Sequence, residues 1–368
     1  MPNLFFRTNI TPYRIDTYNA FHAKLKCEMY FYWEVDHSQK MDMKALERLC
    51  NFNLHILRGF DVKTGQKRRK ICTEVWKIIK ENDPSFVIVP EFQILTLQVL
   101  LYKYLYRRKF KVVSMCDDSY DMVVNNNDFS IIHRIARKIV TPVLDDLLLV
   151  DSRVVNWYKE HYHKGIWLPI IRDEKVEEKK YKRLLPLSNQ LYNQYGLKGR
   201  KVVLYVGRLV ALKNLEALIN AFGRIKEDNS ALVIVGDGAQ EKKLKELSMS
   251  INKEVIFTGH LEGDNLYAWY NIGDVFCLSS YQEAYGAVIN EALLAGCRVV
   301  VSEKAGSACV VNEHNGEIIN PFKIDEIVSA MDKQLQKCLV RQEISFRPHL
   351  VGVGFDERIR NVRSALLS

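Results

Sequence analysis

No apolar run among the 368 residues approaches the roughly 18 that a membrane-spanning helix needs, and there is no tract of low complexity. Eight cysteines (Cys27, Cys50, Cys72, Cys116, Cys277, Cys297, Cys309 and Cys338) form no C-x-x-C pair, and several sit in apolar, strand-like runs. A disulfide framework or thiolate metal site is therefore not expected, whereas buried thiols in a reducing compartment are. The stretch MPNLFFRTNITPYR lacks the basic-then-apolar design of a secretory signal, so the expectation is a cytoplasmic protein. Acidic residues are outnumbered, 44 against 53 basic ones, and the resulting net charge of +9 favours an anionic partner. Nucleic acid, a phosphorylated small molecule and an anionic membrane surface all satisfy that condition.

What is present, 48% hydrophobic and 26% charged residues, is the composition of ordered globular protein, with enough length for two cores. Short runs rich in Val, Ile, Leu and Phe alternate with longer amphipathic stretches, the signature of repeated βα units on parallel sheets. The first half offers strands at 3–10, 27–35, 54–59, 86–90, 111–116 and 147–152; the second restarts at 201–207, 231–236, 254–259, 274–280 and 297–303. Residues 171–198 turn densely charged and then polar, as expected of a connection over the surface. The expected division is an acceptor-side domain at 1–170, a linker region at 171–198 and a ligand-binding domain at 199–351. A last amphipathic helix near 352–368 would pack back on the first domain. Two doubly wound α/β domains facing each other leave a cleft along the carboxyl ends of both sheets, so chemistry is sought just after the strands.

After the strand ending in Gly207 come Arg208 and Lys213, flanking a loop that opens a helix near Asn214. One guanidinium, one ammonium and helix-terminal N–H groups make a phosphate site. After the next strand, Gly236-Asp237-Gly238 forms a tight βα turn, but the third position of a dinucleotide fingerprint holds Glu241, which disfavours a nicotinamide-dependent dehydrogenase. In SSYQEAYGAVINEALLAGCRVVV, Glu283 falls in a loop at the carboxyl edge and Glu291 inside the following helix, which Gly296 closes. Because Glu291 lies among small apolar residues it needs partners, and a pair of ligand hydroxyls is a reasonable one.

The segments GRLVALKN, VIVGDG, VIFTGH and SSYQEAYGAVINEALLAGCRVVVS, in this order, resemble the donor domain of retaining GT-B glycosyltransferases of the family 4 type over about residues 200–335. The last segment carries that family's Glu-x7-Glu pattern as Glu283 and Glu291. The resemblance implies the GT-B fold, two Rossmann-like, doubly wound domains facing a central cleft. It implies that Arg208 and Lys213 hold the donor diphosphate, Glu291 the nucleotide ribose, and that Glu283 faces the transferred sugar. The backbone of Tyr285, Gly286 and Ala287 would hold phosphate and sugar oxygens, and Gly259 and His260 would lie near the nucleobase. Where the family often has a Gly-Gly-x-x-Glu turn, this chain has AGSACVV, with Ser307 and Cys309 at two of those positions. Where the family often carries a histidine, it has Cys116, Asp117 and Asp118.

Tyr13, Arg14, Glu91 and Asp117 follow strands of the first half and are acceptor-side candidates by topology. No Asp-x-Asp follows a strand of the second half, and the adjacent pairs Asp117-Asp118 and Asp145-Asp146 should diverge, so neither metal nor cofactor is expected. Basic residues with aromatic neighbours at 63–70 and 100–111 suit an anionic membrane surface, which opens the option of a peripheral place on its inner face. The leading expectation is metal-independent, retaining transfer of a sugar from a nucleotide-diphosphate sugar to a glycan or lipid-diphosphate-linked acceptor, in cell-surface polysaccharide assembly. No nucleic acid is expected. Two other readings stand beside it: a GT-B enzyme with a phosphorylated sugar acceptor, and a catalytically silent GT-B subunit that binds sugar nucleotide or lipid and supports a partner.

Overall fold

The computed structural model describes residues 2–33, 46–64, 67–125 and 130–367, leaving aside the side chains of 33, 62–64 and 67–69. Its strands are β1 (Asn3–Asn9), β2 (Cys27–Trp33), β3 (His55–Ile56), β4 (Gly59–Thr64), β5 (Lys67–Cys72), β6 (Phe86–Pro90), β7 (Lys111–Cys116), β8 (Asp146–Leu149), β9 (Ile166–Trp167), β10 (Lys201–Val206), β11 (Ser230–Val235), β12 (Glu254–Gly259), β13 (Val275–Leu278), β14 (Arg298–Ser302) and β15 (Gly316–Ile319). The helices of the first half are α1 (Ile15–Leu25), α2 (Val75–Asn82), α3 (Ile94–Leu105), α4 (Tyr120–Val123), α5 (Ile131–Val140) and α6 (Ser152–Tyr162). Those of the second are α7 (Glu174–Arg183), α8 (Leu185–Gln194), α9 (Leu215–Arg224), α10 (Glu241–Ser248), α11 (Gly263–Ile272), α12 (Val288–Leu294), α13 (Ile324–Gln336) and α14 (Phe355–Leu367).

One sheet has the order β3-β2-β1-β6-β7-β8-β9 and the other β12-β11-β10-β13-β14-β15, and in both every neighbouring pair is parallel. Parallel strands covered by helices bury both faces, which is why β6, β10 and β11 read as continuous apolar runs. In each sheet the chain starts at an inner strand, winds outward and returns to the other side of it. The reversal places the end of β10 beside that of β13, and the end of β1 beside that of β6.

The chain divides into two compact units, Met1–Asp118 with Met122–Arg172 and Phe355–Ser368, and Asp173–Gly354 with Ser119–Asp121. Residues 171–198, expected as a surface connection, are mostly the helices α7 and α8 of the second unit. Tyr181, Tyr192 and Leu197 are fully buried in that unit's core, and even Glu177 of the charged run is buried, paired with Lys180, so dense charge does not mark a surface connection here. On α14, Phe355, Ile359, Val362 and Leu366 enter the core of the first unit beside Phe5, Tyr18 and Phe21.

The β4–β5 antiparallel hairpin was not expected from a stretch read as a basic cluster. Within that 63–70 segment, residues 65 and 66 and the side chains of 63–69 lie outside the described residues. No helix among the described residues is long and apolar enough to cross a membrane.

Candidate functional site

Gly207 leaves β10 with φ +153° and its backbone N–H donates to Val235 O at 3.0 Å. Gly236 leaves β11 with φ +140°, and a Cβ there would stand 2.0 Å from Gly207 O, so only glycine lets these two turns touch backbone to backbone. Leu209 N donates to Asp237 O at 2.7 Å and Gln240 N to Leu209 O at 2.9 Å, completing the seam. The Gly259 O atom accepts from Gly236 N at 2.8 Å, which adds the end of β12 to the same edge.

Beyond Arg208, whose side chain is exposed, a short 3₁₀ turn (Ala211–Lys213) leads to Asn214. Asn214 is left-handed (φ 55°, ψ 41°), and its side-chain amide donates to Ser279 O at 3.2 Å and Pro321 O at 2.8 Å. Tyr281 N donates to Leu212 O at 2.9 Å. The loops after β10 and β13 are thereby stitched together, and Lys213 Nζ donates to Glu283 Oε2. Both partners keep part of their surface, with 15% and 17% of the side chain exposed. Tyr205 folds back across Gly207 and donates to Arg208 O at 3.1 Å; burial pushes its phenol up, Glu283 adds to the rise and Arg208 opposes it. Arg208, Lys213, Glu283 and the Tyr205 hydroxyl thus form one electrostatic neighbourhood.

Glu283 also bridges in parallel to Ala305, in the loop after β14. Ser307 N donates to Tyr285 O at 2.8 Å, so AGSACVV, despite its departure from the glycine-rich pattern, is pinned to the Glu283 loop as a 3₁₀ turn (Gly306–Val310). Gly286 (φ +89°) makes the turn into α12, where a Cβ would meet Leu278 Cδ2 at 2.8 Å. Tyr285 is buried and accepts at its hydroxyl from Asn290 Nδ2 at 2.9 Å, while Ala287 O accepts from Glu291 N at 3.3 Å.

Glu291 lies on α12 as its spacing implied, and the partner its burial calls for comes from within the chain: Tyr270 Oη donates to Glu291 Oε2 at 2.8 Å. Nothing in the spacing of α11 singled Tyr270 out, since an apolar-face tyrosine reads as core. His260 is exposed and its Nε2 lies 2.9 Å from Glu262 Oε1.

In the first unit the acceptor-side candidates converge through their charges. Arg7, on β1, donates from Nη2 to Asp117 Oδ2 at 2.9 Å and from Nη1 to Met115 O at 2.7 Å. Arg14 Nη2 donates to Asp117 Oδ1 at 2.5 Å, Tyr13 lies against the Arg14 guanidinium, and Asp117 N donates to Glu91 Oε1 at 3.1 Å. Arg7 was missed, although an arginine inside NLFFRTN signals a carboxylate at a neighbouring strand end.

Asp118 diverges from Asp117, as adjacency requires, toward His133 Nε2 at 3.1 Å and Arg137 Nη1 at 3.0 Å. Burial, with Asp118 and Asp117 behind it, pushes the Glu91 carboxyl up to about 7, and the bond to Asp118 raises His133. Glu91, Asp118 and His133 each offer a ligand atom within 4.8 Å of the others, the one such group among the described residues. Arg7 and Arg14 pair with Asp117 and Arg137 with Asp118, while Nε and Nη1 of the buried Arg14 have no hydrogen-bond partner among the described residues.

Residues 189–345 match the family described as glycosyl transferases group 1. That segment, less than half of the chain, is similar to the group 1 glycosyl transferase domain. It holds every donor-side position above. An uncharacterised glycosyltransferase of Methanocaldococcus jannaschii is 36% identical over 148 residues, 39% of this chain and 38% of that protein. Sulfoquinovosyl transferase SQD2 of Arabidopsis thaliana is 30% identical over 136 residues, 36% of this chain and 26% of its own length. The chain thus spans well under half of these curated relatives.

Among solved structures, the lipopolysaccharide outer core galactosyltransferase WaaB in its apo form superimposes with a TM-score of 0.69 at 17% identity, covering 100% of this chain and 99% of that one. Anabaena HepE in complex with UDP-glucose gives 0.70 at 15% identity, with 100% and 98% covered. Likeness at this level establishes the fold: two Rossmann-like domains of the GT-B class.

Proposed function

We propose that the protein is a family 4 glycosyltransferase that moves a sugar from a nucleotide-diphosphate sugar to a glycan or lipid-linked acceptor, with retention of the anomeric configuration and without a metal. The observation that carries this reading is the Lys213–Glu283 pair, held beside Arg208 where the sheet order reverses, within the group 1 domain. As the bond from C1 to the diphosphate breaks, negative charge grows on the leaving oxygen and an oxocarbenium-like sugar is left behind. Lys213 and Arg208 stabilise the first, and Glu283 steadies and orients the second. The acceptor oxygen attacks from the face the diphosphate leaves, and its proton passes to the departing phosphate oxygen. No protein group has to act as the base.

Glu291, held by Tyr270, receives the ribose hydroxyls, with the backbone at Gly236 and Gly259 bordering the nucleotide. His260, on the surface with Glu262, is the weakest of the donor contacts. The acceptor meets Tyr13, Glu91 and Asp117, with the wholly buried Arg14 acting behind Asp117 rather than by direct contact, and the setting is cell-surface glycan or glycolipid assembly.

Thermal unfolding with UDP, GDP, ADP, CMP and NAD tests the donor site. At about 100 times its dissociation constant the right diphosphate adds roughly 2.7 kcal/mol and moves the midpoint by several degrees. UDP comes first because HepE was solved with UDP-glucose. Glu291→Ala should abolish the shift. A shift with NAD alone, or none with any diphosphate, removes the reading, and product anomers read by NMR in the presence of EDTA decide retention and metal independence.

A further inference from the structure

The sequence IIHRIARKIV of α5 puts Ile131, Ile135 and Ile139 on one stripe of a helix, with Ile132 beside it. In an ordinary amphipathic helix such a stripe faces the core. Here the helix is turned the other way: the four isoleucines are 67%, 52%, 67% and 64% exposed, and it is His133 and Arg137 that face inward. The cause is Asp118, almost wholly buried just past the end of β7, whose carboxylate is bonded by both of those side chains. The polar side fixes the helix, and the aliphatic side is left outward.

The patch continues past the end of α5. A 3₁₀ turn (Thr141–Val143) follows, held by Lys164 Nζ donating to the Thr141, Pro142 and Leu144 carbonyls at 3.1, 3.0 and 2.5 Å. Val143 is exposed and its carbonyl accepts from Tyr104 Oη at 3.2 Å, which joins the turn to α3. There Leu97, Leu101, Tyr104 and Leu105 are all more than half exposed. Scattered surface leucines need no explanation, but aliphatic faces joined across two helices mark a contact surface.

Charge selects the occupant. Neither α3 and its extension to residue 111 nor α5 contains a single Asp or Glu, while they carry Lys103, Arg107, Arg108, Lys109 and Lys111, and Arg134, Arg137 and Lys138. Lys103 and Arg108 pair with Asp145 and Asp83, and Arg137 faces inward. Arg134 and Lys138 flank the isoleucine stripe on one side and form no ion pair with a described residue. A face of Ile and Leu edged by Tyr, Lys and Arg is that of an element lying in the interface of an anionic bilayer, whereas the cores of protein interfaces are depleted in lysine.

We propose that the outward faces of α5 and α3, joined through Val143 and Tyr104, dock the protein on an anionic lipid surface. Residues 131–143 extend this surface with an aliphatic stripe beyond the exposed Leu101 and Leu105 of the basic run at 100–111. The proposal stands apart from the transferase reading; on that reading, the helix that docks is also the one that holds Asp118 beside Glu91, so a lipid-borne acceptor would arrive next to the acceptor-side cluster.

The test is flotation of the full chain with vesicles of phosphatidylcholine alone or mixed in equal parts with phosphatidylglycerol, at low and high salt. Binding is expected to the mixed vesicles, weakening with salt, and the variant Ile131→Glu/Ile135→Glu/Ile139→Glu should lose it by about tenfold or more, with Arg134→Glu/Lys138→Glu losing most of it. These exposed positions should leave the unfolding midpoint and the nucleotide-induced shift unchanged, which separates this proposal from the donor site. Absence of binding to mixed vesicles at low salt overturns it, as do charge variants that bind like the native chain. A native dimer that the isoleucine variant converts to monomer in light scattering overturns it too, by assigning the face to a second copy.

Discussion

Lys213 and Glu283 stand seventy residues apart in the chain and neutralise one another at the carboxyl edge of the second sheet. On the proposed reading, a diphosphate arriving there would compete for the ammonium and free the carboxylate to face the sugar. Glu283→Gln should therefore retain the nucleotide-induced thermal shift yet reduce turnover by about 10²-fold or more, and Lys213→Ala should lose both in part. Steady-state assays set beside the thermal shifts separate the two effects, and a Gln variant with native turnover would remove Glu283 from the reaction.

Glu91 and His133 make a second prediction at this scale. Both are raised, so each favours its protonated form in the folded chain. Glu91 costs the folded state progressively more as pH rises from its unfolded value to about 7, where it must be held ionised beside Asp117 and Asp118. The stabilisation from protonated His133 is complete below the unfolded histidine pKa and is lost as pH rises through the folded one. The two act in the same direction, so the first unit should weaken as pH rises from about 5 to about 7, and Glu91→Gln should flatten that decline in melts run across the range. A variant with the native slope would assign the pH dependence elsewhere.

Among the elements, the turns after β10 and β11 are the most constrained. Gly236→Ala would bring a methyl group against Gly207 O in a left-handed backbone, at a cost expected to exceed about 2 kcal/mol, and nucleotide affinity should fall with stability because the same seam carries Arg208. Denaturant unfolding and calorimetric titration read the two losses, and a neutral substitution would show that the turns can part. The strands around this seam were legible from their apolar runs, as were the loop position of Glu283 and the closure of α12 at Gly296 (φ +76°). The orientation of α5 was not: its stripe of isoleucines is as regular as that of any core helix, and only Asp118, from another element, decides which side turns in.

Across the whole molecule, α14 belongs to the first unit although it follows the second in sequence. Ile359→Ala and Val362→Ala together should remove several kcal/mol, by roughly the cavity cost of buried aliphatics, from the first unit alone. Calorimetry with UDP should then show the ligand-shifted transition in place and the other lowered; a joint fall of both would mean the units melt as one.

The sequence by itself determined what depends on local spacing: the βα alternation, the turn glycines, and the order of Arg208, Lys213, Glu283 and Glu291 along one edge, because strand and helix periods are written in neighbouring residues. Tertiary structure alone decided who meets whom. Tyr270 finds Glu291, Arg7 and Arg14 share Asp117, Asn214 ties one loop to another, and α7 and α8 form part of a core. Those pairings satisfy buried charges and polar groups with partners from distant segments, and a buried group specifies only that it must be satisfied, not which residue will do it.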